Sequence, residues 1–280
     1  MTLSDAARPG LTHVFFLSDS TGISAETMGN ALLLQFPEMV FERRLIPFIT
    51  TEEEARRVVA DLDAATAKGP TLAFSTAAVE EVRLILLQTT CPLIEFFDTH
   101  MTQLEAIFGQ RGIRQPARLH GMGDVKRYNA RMAAVEYSLE HDDGQSLRAL
   151  DKADIVLLAP SRCGKTPTAM YLALQHGLFV ANYPLLEEDL DSHQLPRPVR
   201  GLGARCFGIS TTPQRLAQVR EQRRPNSPYS SLAQCASELR RADRLFAAHG
   251  IPVVDSSTRS VEEMSTVILQ ALSASANVRP

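Results

Sequence analysis

Gly164-Lys165-Thr166 carries the plainest chemical signal in this chain. It closes the stretch Ala159-Pro160-Ser161-Arg162-Cys163-Gly164-Lys165-Thr166, with an apolar run over 155–158 before it and a helical pattern over 168–174 after it. Strand, tight polar loop, then helix is the context in which backbone N–H groups gather around phosphate. Successive amides at a helix start form an anion nest. Gly164 lets backbone approach a ligand with no Cβ in the way. Lys165 is placed to reach phosphate oxygens, and the Thr166 hydroxyl to ligate Mg²⁺. The full pattern asks for Gly where Ala159 stands. Pro160 pushes Ala159 into extended backbone and removes one N–H. Both fit if Ala159 is the last residue of the strand.

Other residue groups invite chemistry with less specificity. Asp19-Ser20-Thr21-Gly22 follows an apolar strand over 13–18. It reads either as an anion or substrate site with Asp19 as acid–base group, or as a turn whose side chains only cap a helix. Asp142 and Asp143 end a helix, where carboxylates oppose the dipole. That conflict points to magnesium or base chemistry, and a solvated turn explains it equally well. Arg215, Arg220, Arg223 and Arg224 suit phosphate or an acidic partner, with a solvated basic face as the plainer reading. Asp255, after a short apolar run, is a candidate magnesium-side carboxylate. Among the four cysteines no pair has metal-ligand spacing. They read as reduced thiols of a cytosolic protein, with Cys163 inside the loop.

The elements that position these residues alternate. Strands over 13–18, 41–46, 71–75 and 93–97 each precede a helix, at 24–34, 51–67, 77–87 and 101–108. Thr51 with Glu54 makes a capping box. Four β-α units in series predict a parallel sheet with helices on its faces. Residues 112–127, rich in Gly, Pro, Arg and His, read as a linker, and a helix over 128–139 follows. The second half continues with strands at 155–159, 179–181, 206–210 and 252–254. Asn182-Tyr183-Pro184 breaks the second of these, residues 189–203 read as loop, and helices cover 213–224, 231–249 and 260–272. The organisation expected is an N-terminal α/β domain over 1–112, a linker and connecting helix over 113–150, and a nucleotide-binding domain over 151–280. Residues 1–10 read as a frayed tail. No internal repeat is visible.

The chain has 280 residues, 44% apolar and 22% charged, with net charge −3. That is ordinary for a soluble protein with a sizeable core. It offers no global electrostatic case for nucleic acid, and no apolar run approaches a membrane span.

Several motifs recur in the order of one known family. The stretch 161–168 through Ala181-Asn182-Tyr183-Pro184-Leu185 resembles the bacterial phosphoenolpyruvate synthase regulatory proteins, which are related to the regulators of pyruvate, phosphate dikinase. So do Phe16-Leu17-Ser18-Asp19-Ser20-Thr21 with Ala25-Glu26, Gln35-Phe36-Pro37, Tyr137 with His141-Asp142-Asp143-Gly144, Ser146-Leu147-Arg148, and Arg220-Glu221-Gln222-Arg223-Arg224. The resemblance runs from about Thr12 to Leu272. It departs at Ala159-Pro160, where the family usually carries Gly-Val. It implies a P-loop kinase-like second domain and a bifunctional enzyme of the cytoplasm. One reaction phosphorylates a threonine of the synthase from ADP and inactivates it. The other uses inorganic phosphate to remove that group and releases pyrophosphate. The nucleotide site carries over onto residues 159–166. On that chemistry Lys165 and the loop amides bear developing charge, Thr166 holds Mg²⁺, and Arg162 clamps the transferred group. Asp142 or Asp143 accepts the threonine proton or holds metal, with Asp19 as the second candidate. Three alternatives stand: a small-molecule kinase using ATP, a regulator of the dikinase, and a non-catalytic nucleotide sensor. A homodimer is the default assembly.

Overall fold

The computed structural model describes residues 10–115, 125–192 and 194–277. The expected frayed tail up to residue 9, and residues 116–124 of the linker expected over 112–127, lie outside the described residues; residues 125–127 of that linker are helical instead. The chain divides into two compact units, Met1–Gly121 and Met122–Pro280.

The first unit alternates β1 (Thr12–Leu17), α1 (Ile23–Leu33), β2 (Phe41–Ile46), α2 (Glu52–Thr66), β3 (Thr71–Ser75), α3 (Glu80–Leu86), β4 (Leu93–Glu95) and α4 (Asp98–Phe108). All pairs are parallel, in the order β2-β1-β3-β4. Side chains alternate across β1. Val14 and Phe16 pack with Ala25 and Leu33 of α1, while Phe15 and Leu17 pack with α2 and α3. Phe16, Phe74 and Phe96 stack at centroid distances of 5.7 and 5.5 Å. The Thr51–Glu54 capping box starts α2.

The second unit opens with α5 (Val125–Glu140), which packs on α6 and β6. β5 (Ile155–Ala159), α6 (Lys165–His176), β6 (Val180–Pro184), α7 (Glu187–Asp191), β7 (Cys206–Ser210), α8 (Pro213–Arg223), α9 (Leu232–Ala248), β8 (Val253–Asp255) and α10 (Val261–Asn277) follow. The sheet is again parallel, in the order β6-β5-β7-β8. All five residues of β5 are buried, as a central strand covered on both faces requires. Val156 and Leu158 face one core cluster, Ile155, Leu157 and Ala159 the other.

Two expectations are corrected. Asn182-Tyr183-Pro184 continues β6 instead of breaking it, with Pro184 paired to Ala159. β6 is an edge strand, where the missing N–H of proline is tolerated. The stretch read as loop holds α7 and a 3₁₀ segment, Arg197–Arg205, that buries Val199. Its prolines start the 3₁₀ segment, because their fixed φ suits a first helical turn.

The two sheets share one topology. In each, a five-residue connection (residues 18–22 and 160–164) leads from the first strand into its helix. In each it ends on a left-handed glycine, Gly22 at φ 77° and Gly164 at φ 101°. The carboxyl end of the first strand is where open α/β sheets place ligands.

Candidate active site

The site builds from β5. The strand ends at Ala159, and α6 begins at Lys165. Arg162 (φ 73°) and Gly164 (φ 101°) both lie in the left-handed region, a backbone geometry that makes anion-binding concavities. A Cβ built on Gly164 would meet nothing nearer than Met264 Cε at 3.6 Å. Glycine is therefore required there by its φ and not by crowding. The side chain of Arg162 is exposed.

Lys165 is 4% exposed, and its Nζ donates to the Pro160 carbonyl at 3.1 Å. Burial holds its pKa below the usual lysine value, while Cys163, Asp143 and Asp142 pull the other way. Thr166 Oγ1 donates to Asp142 Oδ1 at 2.9 Å. Asn182 Nδ2 donates to the same oxygen at 2.5 Å and to Thr166 Oγ1 at 3.1 Å. The Asn182 side-chain oxygen is buried with no partner. Thr166, Asp142 and Asn182 thus form one closed cluster at the first turn of α6.

Asp142 and Asp143 sit on a 3₁₀ turn, Asp142–Gly144, directly after α5. The turn is anchored from beneath. The Asn182 N–H donates to the His141 carbonyl at 3.0 Å. The buried His141 ring stacks on Tyr137 at 3.9 Å and contacts the Tyr137 and Arg148 carbonyls. Asp143 adopts φ 52° and is exposed. A Cβ on Gly144 would come 3.0 Å from Pro184 Cδ.

The structure therefore brings Lys165, Thr166 and Asp142 together, with Asp143 near enough to act on Lys165. Asp19 belongs to the first unit. Its Oδ2 accepts the N–H groups of Ala78 and Val79 at 2.6 and 2.9 Å, pinning the connection into α3. Asp255 is engaged by the Ser257 N–H and hydroxyl at 2.8 and 2.9 Å. Arg215, Arg223 and Arg224 are exposed, whereas Arg220 is wholly buried and paired to Glu238 at 2.6 Å. Burial pushes the Cys163 thiol up to about 12, which leaves no thiolate for nucleophilic work.

Sequence reasoning took Asn182 as a strand breaker and set Arg220 in a cluster suited to phosphate or an acidic partner, with a solvated face as the plainer reading; the structure pairs one with Asp142 and buries the other against Glu238. The available signal at Asn182 was a side-chain amide beside the buried run Val180-Ala181 with no glycine to make a turn.

Among the described residues no group of three or more His, Cys, Asp or Glu side chains suits a metal ion. The donors at hand are hard oxygens: the Thr166 hydroxyl, the Asp142 carboxylate and the unpartnered Asn182 oxygen. One carboxylate completed by phosphate oxygens and water is a magnesium type of site. The residues fit that ion and not a softer one.

A parallel α/β sheet carrying a buried lysine, a hydroxyl and a carboxylate at one helix start is compatible with phosphotransferase chemistry. The chain belongs to the kinase/pyrophosphorylase family, whose model matches residues 14–269. A relative from Neisseria meningitidis serogroup C is 42% identical over 261 residues, covering 92% of this chain and 96% of its own. One from Alkalilimnicola ehrlichii is 43% identical over 258 residues (91% and 94%), and one from Acinetobacter baylyi is 41% identical over 259 residues (92% and 93%). All three carry, provisionally, the name phosphoenolpyruvate synthase regulatory protein.

Proposed function

We propose that this chain is a bifunctional regulator of phosphoenolpyruvate synthase, working through one phosphate site at the start of α6. The observation that supports it is the gathering of Lys165, Thr166 and, from the 3₁₀ turn after α5, Asp142 at the start of α6. In the forward reaction the threonine hydroxyl oxygen of the synthase attacks the β-phosphorus of ADP. The bridging P–O bond to the α-phosphate breaks, AMP leaves, and the hydroxyl proton passes to a carboxylate. In the other direction an oxygen of inorganic phosphate attacks the phosphothreonine phosphorus. The threonine–phosphorus bond breaks, pyrophosphate forms, and the threonine oxygen takes a proton back. Both directions place two linked phosphoryl groups in the same nest, which is why one loop suffices.

Positioning and charge stabilisation carry most of such a transfer. Loop amides and Lys165 hold phosphate oxygens, and Arg162, exposed at the loop tip, clamps the transferred group. A magnesium ion, held by Thr166 and Asp142 when bound, supplies neutralisation of phosphate charge. Asp142 already accepts from Thr166 and Asn182, so it orients the ligand set. Asp143, exposed beside it, is the carboxylate left to take the threonine proton. No helix among the described residues is long and apolar enough to cross a membrane.

Lys165→Met tests the shared site. Loss of both the ADP-dependent and the phosphate-dependent reaction is expected. Survival of the phosphate-dependent one contradicts a common nest. Asp143→Asn separates the carboxylates: kcat falls on the order of 10²–10⁴-fold with ADP affinity kept, while Asp142→Asn raises the Mg²⁺ needed for half activity.

A further inference from the structure

Arg220 lies in α8, far along the chain from the loop, and is the largest fully buried side chain among the described residues. All its donors are engaged. Nε and Nη2 both donate to the Ser161 carbonyl, at 3.3 and 3.1 Å. Nη1 donates to the Tyr229 carbonyl at 3.2 Å, and Glu238 accepts from Nη1 and Nη2 at 3.2 and 2.6 Å. The guanidinium also lies 4.2 Å from the centroid of the Tyr229 ring. Tyr229 closes the circuit, donating its hydroxyl to Ser161 Oγ at 3.0 Å. Ser161 is thus gripped by its carbonyl and by its hydroxyl, from α8 and from the 3₁₀ turn Pro228–Ser230.

What the grip holds is unusual backbone. The residue after Ser161 is Arg162 at φ 73°, a conformation that side chains bearing Cβ disfavour. A non-glycine residue stays there only when its surroundings over-determine it. With its fork fixed on Ser161 and Glu238, Arg220 has no donor left for a ligand. It is neither a phosphate ligand nor part of a solvated face.

We infer that Arg220 and Tyr229 are positioning residues for the phosphate site: they hold the Ser161 peptide, and through it the left-handed turn at Arg162, in the shape that receives phosphate before any ligand arrives. This rests on the proposed role of the loop. A lysine cannot replace the arginine, because an ammonium lacks the planar fork that serves Ser161, Tyr229 and Glu238 at once.

Two variants of the full chain test it, Tyr229→Phe and Arg220→Lys, each read by amide hydrogen exchange of peptides covering residues 161–166 and by ADP affinity. Faster exchange in those peptides is expected in both ligand-free variants, with the rest of the second unit unchanged. The ADP Kd is expected to rise about 2- to 10-fold in Tyr229→Phe, the equivalent of one hydrogen bond, and on the order of 10- to 100-fold in Arg220→Lys. Loop exchange at the wild-type rate in both variants, whatever their melting temperatures, overturns the inference. If Arg220→Lys does not fold, Tyr229→Phe decides alone, since it leaves the Arg220–Glu238 pair intact. If the wild-type chain does not bind ADP, the proposed function falls, and loop exchange still decides whether Arg220 and Tyr229 shape the loop.

Discussion

Lys165 is kept 4% exposed, with its Nζ on a single carbonyl. Its desolvation makes the ligand-free fold less stable, a common cost of a prepared site. Lys165→Met is therefore expected to raise the melting temperature of the ligand-free protein, by about 2–4 °C for each kcal/mol relieved, while abolishing transfer. The pH dependence has a definite sign. A lysine whose folded pKa is depressed binds fewer protons folded than unfolded between the two values, so stability rises with pH across that window. The melting gap between Lys165→Met and wild type should accordingly shrink as pH rises from neutral to about 10. A wild-type protein that loses stability relative to the variant over that range contradicts this reading of Lys165. The thiols give a second check at the same scale. All four cysteines are buried, and burial pushes each pKa up, Cys163 and Cys206 to about 12. A thiol reagent at mildly alkaline pH should find none of them in the native protein and all of them after denaturation. The strand–loop–helix frame around Gly164-Lys165-Thr166 was legible because a buried apolar run, a glycine and a helical pattern follow one another there. Asn182 and Arg220 were not. A polar residue before Tyr-Pro reads as a break, and an arginine reads as surface because so few are buried. Only the tertiary partners, Asp142 for one and Ser161 with Glu238 for the other, show where the two side chains lie.

Among the elements, β5 and β7 form the floor under the loop, and their packing is tight where a glycine permits it. A Cβ on Gly208 of β7 would come 2.7 Å from the Phe246 ring of α9. Gly208→Ala should destabilise by about 1–3 kcal/mol through overpacking, outweighing the lower chain entropy of alanine. Chemical denaturation reads the change, and a neutral or stabilising result shows that Phe246 can shift. Strands β3, β5 and β7 were legible to the residue because short apolar runs with nearby Pro, Gly or Ser leave little choice of limits, and β2, Phe-Glu-Arg-Arg-Leu-Ile, was legible because Pro47 closes it. Helix starts were less so. α3 begins at Glu80 and not at 77, since Asp19 from a distant turn binds the Ala78 and Val79 amides and fixes where the chain enters the helix.

Across the whole molecule, the two units repeat one strand order and one loop length, a relation invisible in the residues because the loops share only their closing glycine. Gly22 and Gly164 occupy the same place. Ile23 and Ser24 then stand where Lys165 and Thr166 stand. The first loop lacks the cation, and its carboxylate, Asp19, is engaged on backbone amides. Calorimetric titration should accordingly find one ADP per chain, lost in Lys165→Met. Two equivalent sites would contradict the contrast drawn between the loops. The central claim is the transfer itself, and its most direct measurement uses ADP labelled on the β-phosphate with purified phosphoenolpyruvate synthase as acceptor. Label on a synthase threonine, with loss of synthase activity and recovery on adding inorganic phosphate as pyrophosphate appears, is the result predicted. An unlabelled synthase, with ATP turned over on a small metabolite instead, would contradict it.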